Sequence, residues 1–377
     1  EGTYTETIID ELAEKLHIDS IDIRIKNAAK EGTRRPDGPI HPKIGSLEVL
    51  KAMKEHHHFN TLMDKPNEGR GIAIGYWMNG GGPSSCTLQV NPDGTINLNE
   101  GSPDIGGTRT SIAMQVAEIL ELKPEDISPA IMDTDSIGYT SGTGGSSVTF
   151  KTGRAAYDAA LDLKRKMMSR VARIWDVDIT LVRYENGEFI AGIDHASNPE
   201  LHMTFRELSE QLAQTGGPIT GSANTSGEGE GGAFAGCIVD VKVDSETGKV
   251  AITRFTIVQD VGKAIHPSYV EGQMQGGSAQ GIGWALNEEY IINEQGHMVN
   301  SNLLDYRMPT SLDLPMIDTV IVEVPNPRHP YGVRGVGEVS IVMPPAAIAN
   351  AIYQAIGIRL NSLPMNPQTI IKSILAS

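Results

Sequence analysis

The sequence predicts an α+β fold, with antiparallel or mixed sheets and helices packed on them. Two observations carry that expectation: strand-like runs come in pairs around strong turn chemistry, and long helical patterns lie between the pairs. The clearest pair is residues 86–90 and 95–98, joined by Asn91-Pro92-Asp93-Gly94. A second joins 238–243 to 250–259 through Asp244-Ser245-Glu246-Thr247-Gly248, and a third joins 290–293 to 298–300 around Gln295-Gly296. Helical periodicity covers residues 111–122, 155–175, 205–214, 268–286 and 345–360.

The chain before this region reads as helical. Ile8, Ile9, Leu12 and Leu16 recur at helical spacing, with Thr3 or Thr5 as the N-cap. A short helix follows over 20–29, then a connection rich in Pro and Gly over 30–45, and a helix over 47–57. The polar stretch 63–69 marks a domain boundary, so the expected division is 1–66 and 67–377, with sheet-like patterning from Gly71.

Composition excludes several classes. The 377 residues carry 31 basic and 47 acidic side chains, a net charge of -16, which argues against nucleic-acid or anionic-membrane partners. No apolar run suggests a span of roughly 18 residues. The N-terminal EGTYTETIIDELAEKL is acidic and amphipathic, unlike a signal peptide. Its abrupt start at a helix suggests a subunit or fragment, expected in a reducing cytoplasm. Cys86 and Cys237 are far apart with no CxxC neighbour, so cysteine ligation of an iron–sulfur cluster within this chain is excluded.

One arrangement recurs four times: a glycine-rich loop ahead of a helical pattern. The instances are GSPDIGGTRT (101–110), SGTGGSSVTFKTGR (141–154), DVGKAIHPS (260–268) and GVRGVGEVS (332–340). A fifth run, SGEGEGG (226–232), precedes a strand. Four such loops point to a long anionic ligand touched at several places, as with a dinucleotide. None is GxGxxG after a strand, which disfavours a Rossmann domain, and none is a P-loop.

The last loop raises a question. In RHPYGVRGVGEVSIVMPPAAIANAI (328–352), Gly332, Gly335 and Gly337 surround an acid, Glu338, and Pro344-Pro345 opens a helix over 346–358. Loops of this type attract anions, yet this one carries a carboxylate. Glu338 reads as half of a carboxylate pair or as a helix cap. Asp305 in LLDYRMP reads as its partner in a carboxylate pair or as a structural hydrogen-bonded residue. Gln280, among glycines in EGQMQGGSAQGIGWAL, reads as a ligand contact or as a packing residue. Glu55-His56-His57-His58 reads as a solvated helix face and not a metal cluster, because consecutive helical positions diverge. There is no GxSxG motif.

Taken together, QDVGKAIHPSYVEGQMQGGSAQGIGWALNEE, NLLDYRMPTSLDLP and GVRGVGEVSIVMPPAAIANAI resemble the molybdopterin-binding large subunit of molybdenum hydroxylases of the xanthine dehydrogenase and aldehyde oxidase family. The resemblance runs through nearly the whole chain. It implies that residues 1–66 are the helical tail of a first molybdopterin-binding domain and that 67–377 form the second. Glu338 would be the general base, taking a proton beside the molybdenum while water supplies the oxygen placed on the substrate. Gly106, Gly107, Thr108, Thr143, Ser146, Ser147, Gln280 and Gly337 would contact a molybdopterin or its dinucleotide form. No side chain would be a metal ligand, since the cofactor's own sulfurs hold the metal.

Many members of the family carry Gln where this chain has Gly107; that amide hydrogen-bonds an oxo ligand of the metal, and its loss leaves the metal less supported. Trp77-Met78-Asn79-Gly80-Gly81-Gly82 stands where purine hydroxylases present an aromatic side chain, so xanthine is not supported, and Trp77 and Met78 read equally as core. The implied partners are an upstream molybdopterin-domain half, iron–sulfur and flavin subunits or domains, and a small-molecule substrate, an N-heterocycle or aldehyde. A rival reading is a cofactor-binding or assembly module without turnover. A third, a carboxylate-pair hydrolase, would need neither metal nor pterin.

Overall fold

The computed structural model describes residues 2–192, 201–227 and 232–376. The chain starts with helices α1 (Gly2–Leu16), α2 (Ser20–Asn27), α3 (Ser46–Glu55) and α4 (His57–Asn60), then strands β1 (Glu68–Trp77), β2 (Gly82–Val90) and β3 (Ile96–Glu100). Next come α5 (Thr108–Leu120), β4 (Ile127–Ile131), α6 (Thr134–Ile137), α7 (Val148–Trp175), β5 (Val182–Glu185), β6 (Glu188–Ala191) and β7 (Leu201–Thr204). The rest is α8 (Phe205–Thr215), β8 (Thr220–Gly227), β9 (Ala233–Val243), β10 (Val250–Asp260), α9 (Pro267–Leu286), β11 (Ile317–Val322), α10 (Pro344–Ile356) and α11 (Pro367–Ala376). These elements form two compact units, Glu1–Asn79 with Glu230–Ser377, and Gly80–Gly229.

The first unit is built on a mixed sheet of order β1-β9-β10-β11, antiparallel except for the parallel β10–β11 pair. Ile21, Val49, Leu50 and Met53 of α2 and α3 cover one face. Residues of α9 and α10, among them Met274, Ile282, Ala347 and Ile348, cover the other. With both faces covered, the first seven residues of β9, AFAGCIV, are continuously apolar and buried, as in a central strand; polar alternation returns only at Asp240 and Lys242. Helix α1 is tied in by a buried ion pair, Arg24 Nε to Glu6 Oε2 at 2.8 Å, and the same oxygen accepts from the Ile74 N–H at 2.8 Å.

The second unit holds a sheet of order β4-β3-β2-β8, with β3–β4 parallel, and a separate antiparallel sheet β5-β6-β7. Its core joins Leu88, Ile96 and Leu98 to Ile112, Val116 and Leu163 from α5 and α7. Helix α7 begins seven residues before the periodicity suggests. Gly153 interrupts the sequence pattern, but the Gln115 side chain packs where a Cβ would stand.

The α+β class with mixed sheets and packed helices is what forms, and the first two hairpins are present. Other expectations are corrected. The third hairpin is a single bridge, Ile292 to Met298. Helix α1 already contains Thr3 and Thr5, so neither caps it. Strands β5, β6, β7 and β11 lie outside the expectation, although Asn186-Gly187, at φ +53° and +78°, closes the antiparallel β5–β6 hairpin with strong turn chemistry.

His58 is not on a solvated face; it is fully buried. Its Nδ1 lies 2.8 Å from Thr256 Oγ1 and its Nε2 3.2 Å from Asp240 Oδ1. The run Val339–Ile356 does reach the length and mean hydropathy, 1.4, of a membrane span, but 67% of it is buried and it contains the core helix α10. Of the fifth glycine run, residues 228–231 lie outside those described.

Candidate functional site

The predicted site residues fall in both units. Glu338, Gly337 and Gln280 are in the first; Gly106, Gly107, Thr108, Thr143, Ser146 and Ser147 are in the second.

In the first unit, residues 332–338 close the loop after β11 and lead to a 3-10 turn, Val339–Ile341, that runs into α10. Glu338 is half-buried at the start of that turn, and its side chain makes no cap hydrogen bond there. It lines a cavity of about 1250 Å³ together with Gly337 and Gln280. Trp77, Phe234, Trp284 and Ile341 supply apolar wall. The Trp77 indole N–H is buried with no partner, whereas Met78 is 61% exposed and is not core.

Gln280 gets its place from α9. Gly277 and Gly281 let that helix lie against Ser340 and Pro344, since a Cβ at either position would collide there. The glycines therefore serve helix packing, and Gln280, on the exposed side, serves the cavity. Asp305 is exposed, accepts from Asn302 Nδ2 at 2.8 Å and is absent from the cavity lining.

The structure brings in four residues to which sequence reasoning assigned no role. Asn79 Oδ1 accepts from the Gly335 N–H at 2.7 Å, and Gln259 Nε2 donates to the Val336 carbonyl at 3.2 Å. Arg334 Nε stands 3.0 Å from Asp260 Oδ2, both side chains fully buried. Burial pushes the Asp260 carboxyl up, and Arg334 with the N–H groups of Gly262, Val324 and Gly45 pulls it back only in part. Three of the four sat inside motifs already singled out by their glycines. Their partners were invisible because Asn79 and Gly335 are 256 positions apart.

In the second unit, Gly106 and Gly107 take left-handed backbone, φ +62° and +77°, just before Thr108 opens α5. That conformation favours glycine and gives a local reason for Gly107. Thr143 is exposed on the loop before α7, where Ser146 has φ +52°. Ser147, 1% exposed, precedes α7 with its hydroxyl unpartnered. A Cβ at Gly142 or Gly144 would meet nothing within 4 Å. Lys151 pins this loop from below: its ammonium donates to the Ser141 carbonyl at 2.7 Å and the Gly142 carbonyl at 2.9 Å. Burial lowers the Lys151 pKa. Helix-start N–H groups, a buried hydroxyl without a partner and open space beside the glycines suit an anionic ligand.

The family model for the molybdopterin cofactor-binding domain matches residues 49–315. The chain is 32% identical over 387 residues to the putative xanthine dehydrogenase molybdenum-binding subunit of Escherichia coli, covering 97% of this chain and 51% of that protein. It is 28% identical to the aldehyde oxidoreductase molybdenum-binding subunit of the same species, covering 96% and 49%. Among solved structures, quinoline 2-oxidoreductase from Pseudomonas putida superposes with a TM-score of 0.88 at 24% identity, over 99% of this chain and 52% of that one. The chain thus spans about half the length of the curated relatives it matches.

Proposed function

This chain belongs to the family of molybdopterin cofactor-binding domains, and on that premise we propose that it is part of a molybdenum-dependent hydroxylase acting on an N-heterocycle or an aldehyde. The substrate's electrophilic carbon would gain an oxygen that derives from water. We assign residues 1–66 to the tail of a first molybdopterin-binding domain and 67–377 to the second; the first strand of the chain, β1, begins at Glu68.

The observation that carries the proposal is Glu338 set at the wall of a large, mainly apolar cavity that it shares with Gly337 and Gln280. Glu338 is the general base: it accepts the proton released as the oxygen is committed to the substrate. The apolar walls give the body of an organic substrate a surface to pack on beside that carboxylate. Gln280 offers an amide donor and acceptor to the same space, where it would bind the cofactor. The loops at Gly106, Gly107 and Thr108, and at Thr143, Ser146 and Ser147, would hold anionic parts of the cofactor through backbone N–H groups and hydroxyls. The chemistry that molybdopterin contributes when bound is two-electron oxidation. Electrons leave through iron–sulfur and flavin partners, and two free, buried cysteines are in keeping with a cytoplasmic setting.

The test uses the complete molybdenum-loaded enzyme. Glu338→Gln keeps size and cannot accept the proton, so turnover should fall by roughly 10²–10⁴-fold, about 3–5 kcal/mol of barrier, with molybdenum content unchanged. Asp305→Asn is the control and should leave turnover near wild type. A Glu338→Gln enzyme that reduces its metal with substrate at the wild-type rate would sink the assignment. Full cofactor content without turnover in the wild type would favour the binding-module reading instead.

A further inference from the structure

Glu338 follows a stretch that cannot hold itself in place. Gly332, Gly335 and Gly337 contribute no side chains, so residues 332–337 are anchored by backbone groups, by the buried Arg334 and Val333, and by Val336 against the core. Those backbone groups pair with other backbone groups and with buried polar side chains of the first unit. Asn326 Nδ2 donates to the Val333 carbonyl at 3.3 Å, and the Val261 carbonyl accepts from the Arg334 N–H at 3.2 Å. Nearest the acid, Asn79 Oδ1 accepts from Gly335 N–H at 2.7 Å and Gln259 Nε2 donates to Val336 O at 3.2 Å. Asn79 is 5% exposed and Gln259 fully buried.

A buried amide is costly unless bonded, and these two direct theirs to consecutive residues of the glycine loop. One grips the donor of the 334–335 peptide unit and the other the acceptor of the 336–337 unit, the second of them one residue short of Glu338. Together the two contacts restrain the Gly335-Val336 segment that leads into the acid. We propose that Asn79 and Gln259 are positioning residues that set the placement of the Glu338 carboxylate, a proposal that rests on Glu338 being the base. A misplacement of about 1 Å in a reacting group costs on the order of 10²-fold in rate, so the two amides act on kcat without touching substrate.

The experiment compares Asn79→Ala, Asn79→Asp, Gln259→Met and Glu338→Gln in the complete enzyme. It reads kcat per molybdenum, KM, molybdenum content, and hydrogen exchange of the peptide spanning residues 333–338. Asn79→Ala and Gln259→Met should each lower kcat per molybdenum by about 10²-fold, with KM within about threefold and molybdenum retained. Exchange across 333–338 should speed up in Asn79→Ala, and Asn79→Asp, which keeps an oxygen facing the Gly335 N–H, should restore protection there. A purely structural role would lower stability and folded yield but leave kcat per molybdenum at the wild-type value. Wild-type kcat per molybdenum in Asn79→Ala and Gln259→Met beside an inactive Glu338→Gln overturns the positioning role and leaves the base. Wild-type kcat in Glu338→Gln overturns both.

Discussion

Glu100 ends β3 with 1% of its surface exposed, and its Oε2 accepts from the Ser102 N–H at 2.6 Å. Burial pushes its pKa from the ordinary 4.5 to about 7, and that hydrogen bond pulls it back only in part. A carboxyl with a raised folded-state pKa is protonated in the native chain while the unfolded chain has already ionised. Its contribution to stability is therefore full below about pH 4.5 and is lost as pH rises through about 7. Glu100→Gln removes that titration and keeps an acceptor for Ser102. Its melting temperature relative to wild type should improve from pH 5 to pH 8, by the equivalent of roughly 2–3 kcal/mol. A difference that stays flat with pH would show that Glu100 is ionised in the folded state throughout. His58 carries the complementary lesson: burial lowers its pKa, while Asp240 is held below the usual range because Arg70 and His58 outweigh its own burial. Nothing in the run of three histidines distinguishes the one whose partners lie on β9 and β10.

At the scale of elements, the packing of β1 on α10 shows why glycines recur on one face of a strand. Gly69, Gly71 and Gly75 sit at the alternate positions that meet the helix. A Cβ at Gly71 would overlap the Ala347 carbonyl, and one at Gly75 would press on the Met343 side chain. At Gly71 this is strand against helix backbone, which side chains cannot relax. Gly71→Ala should therefore destabilise the chain by at least about 1–3 kcal/mol in urea unfolding. Gly142→Ala, at a loop position with nothing within 4 Å, should leave stability within about 0.5 kcal/mol. Equal effects would mean that α10 can move away from the sheet. The chain runs from Glu338 through Val339–Ile341 into α10, whose residues Pro344 to Ile352 are all buried, so a core helix also anchors the candidate base.

At the scale of the whole molecule, the two cysteines lie in different units, Cys86 in the second and Cys237 in the first, and burial pushes both thiols well up. Purified chain should hold no iron, and molybdenum well below one atom per chain, because its curated relatives are about twice as long. Inductively coupled plasma mass spectrometry checks both metals, and stoichiometric molybdenum would show that this half alone completes the cofactor site. The sequence by itself determined the α+β class, two hairpins, the five long helices and the glycine loop around Glu338. Each of those is written in residues a few positions apart: Asn91-Pro92-Asp93-Gly94 closes a turn, and apolar spacing marks a helix face. Only the tertiary structure decided that His58 is buried, that Gln280 lines the cavity while Gly277 and Gly281 pack, and that Asn79 and Gln259 hold the loop before the acid. Those facts depend on hydrogen bonds and close approaches between residues tens to hundreds of positions apart. Local periodicity carries no trace of a partner at that distance, because an amide or imidazole is equally suited to water until the fold removes the water.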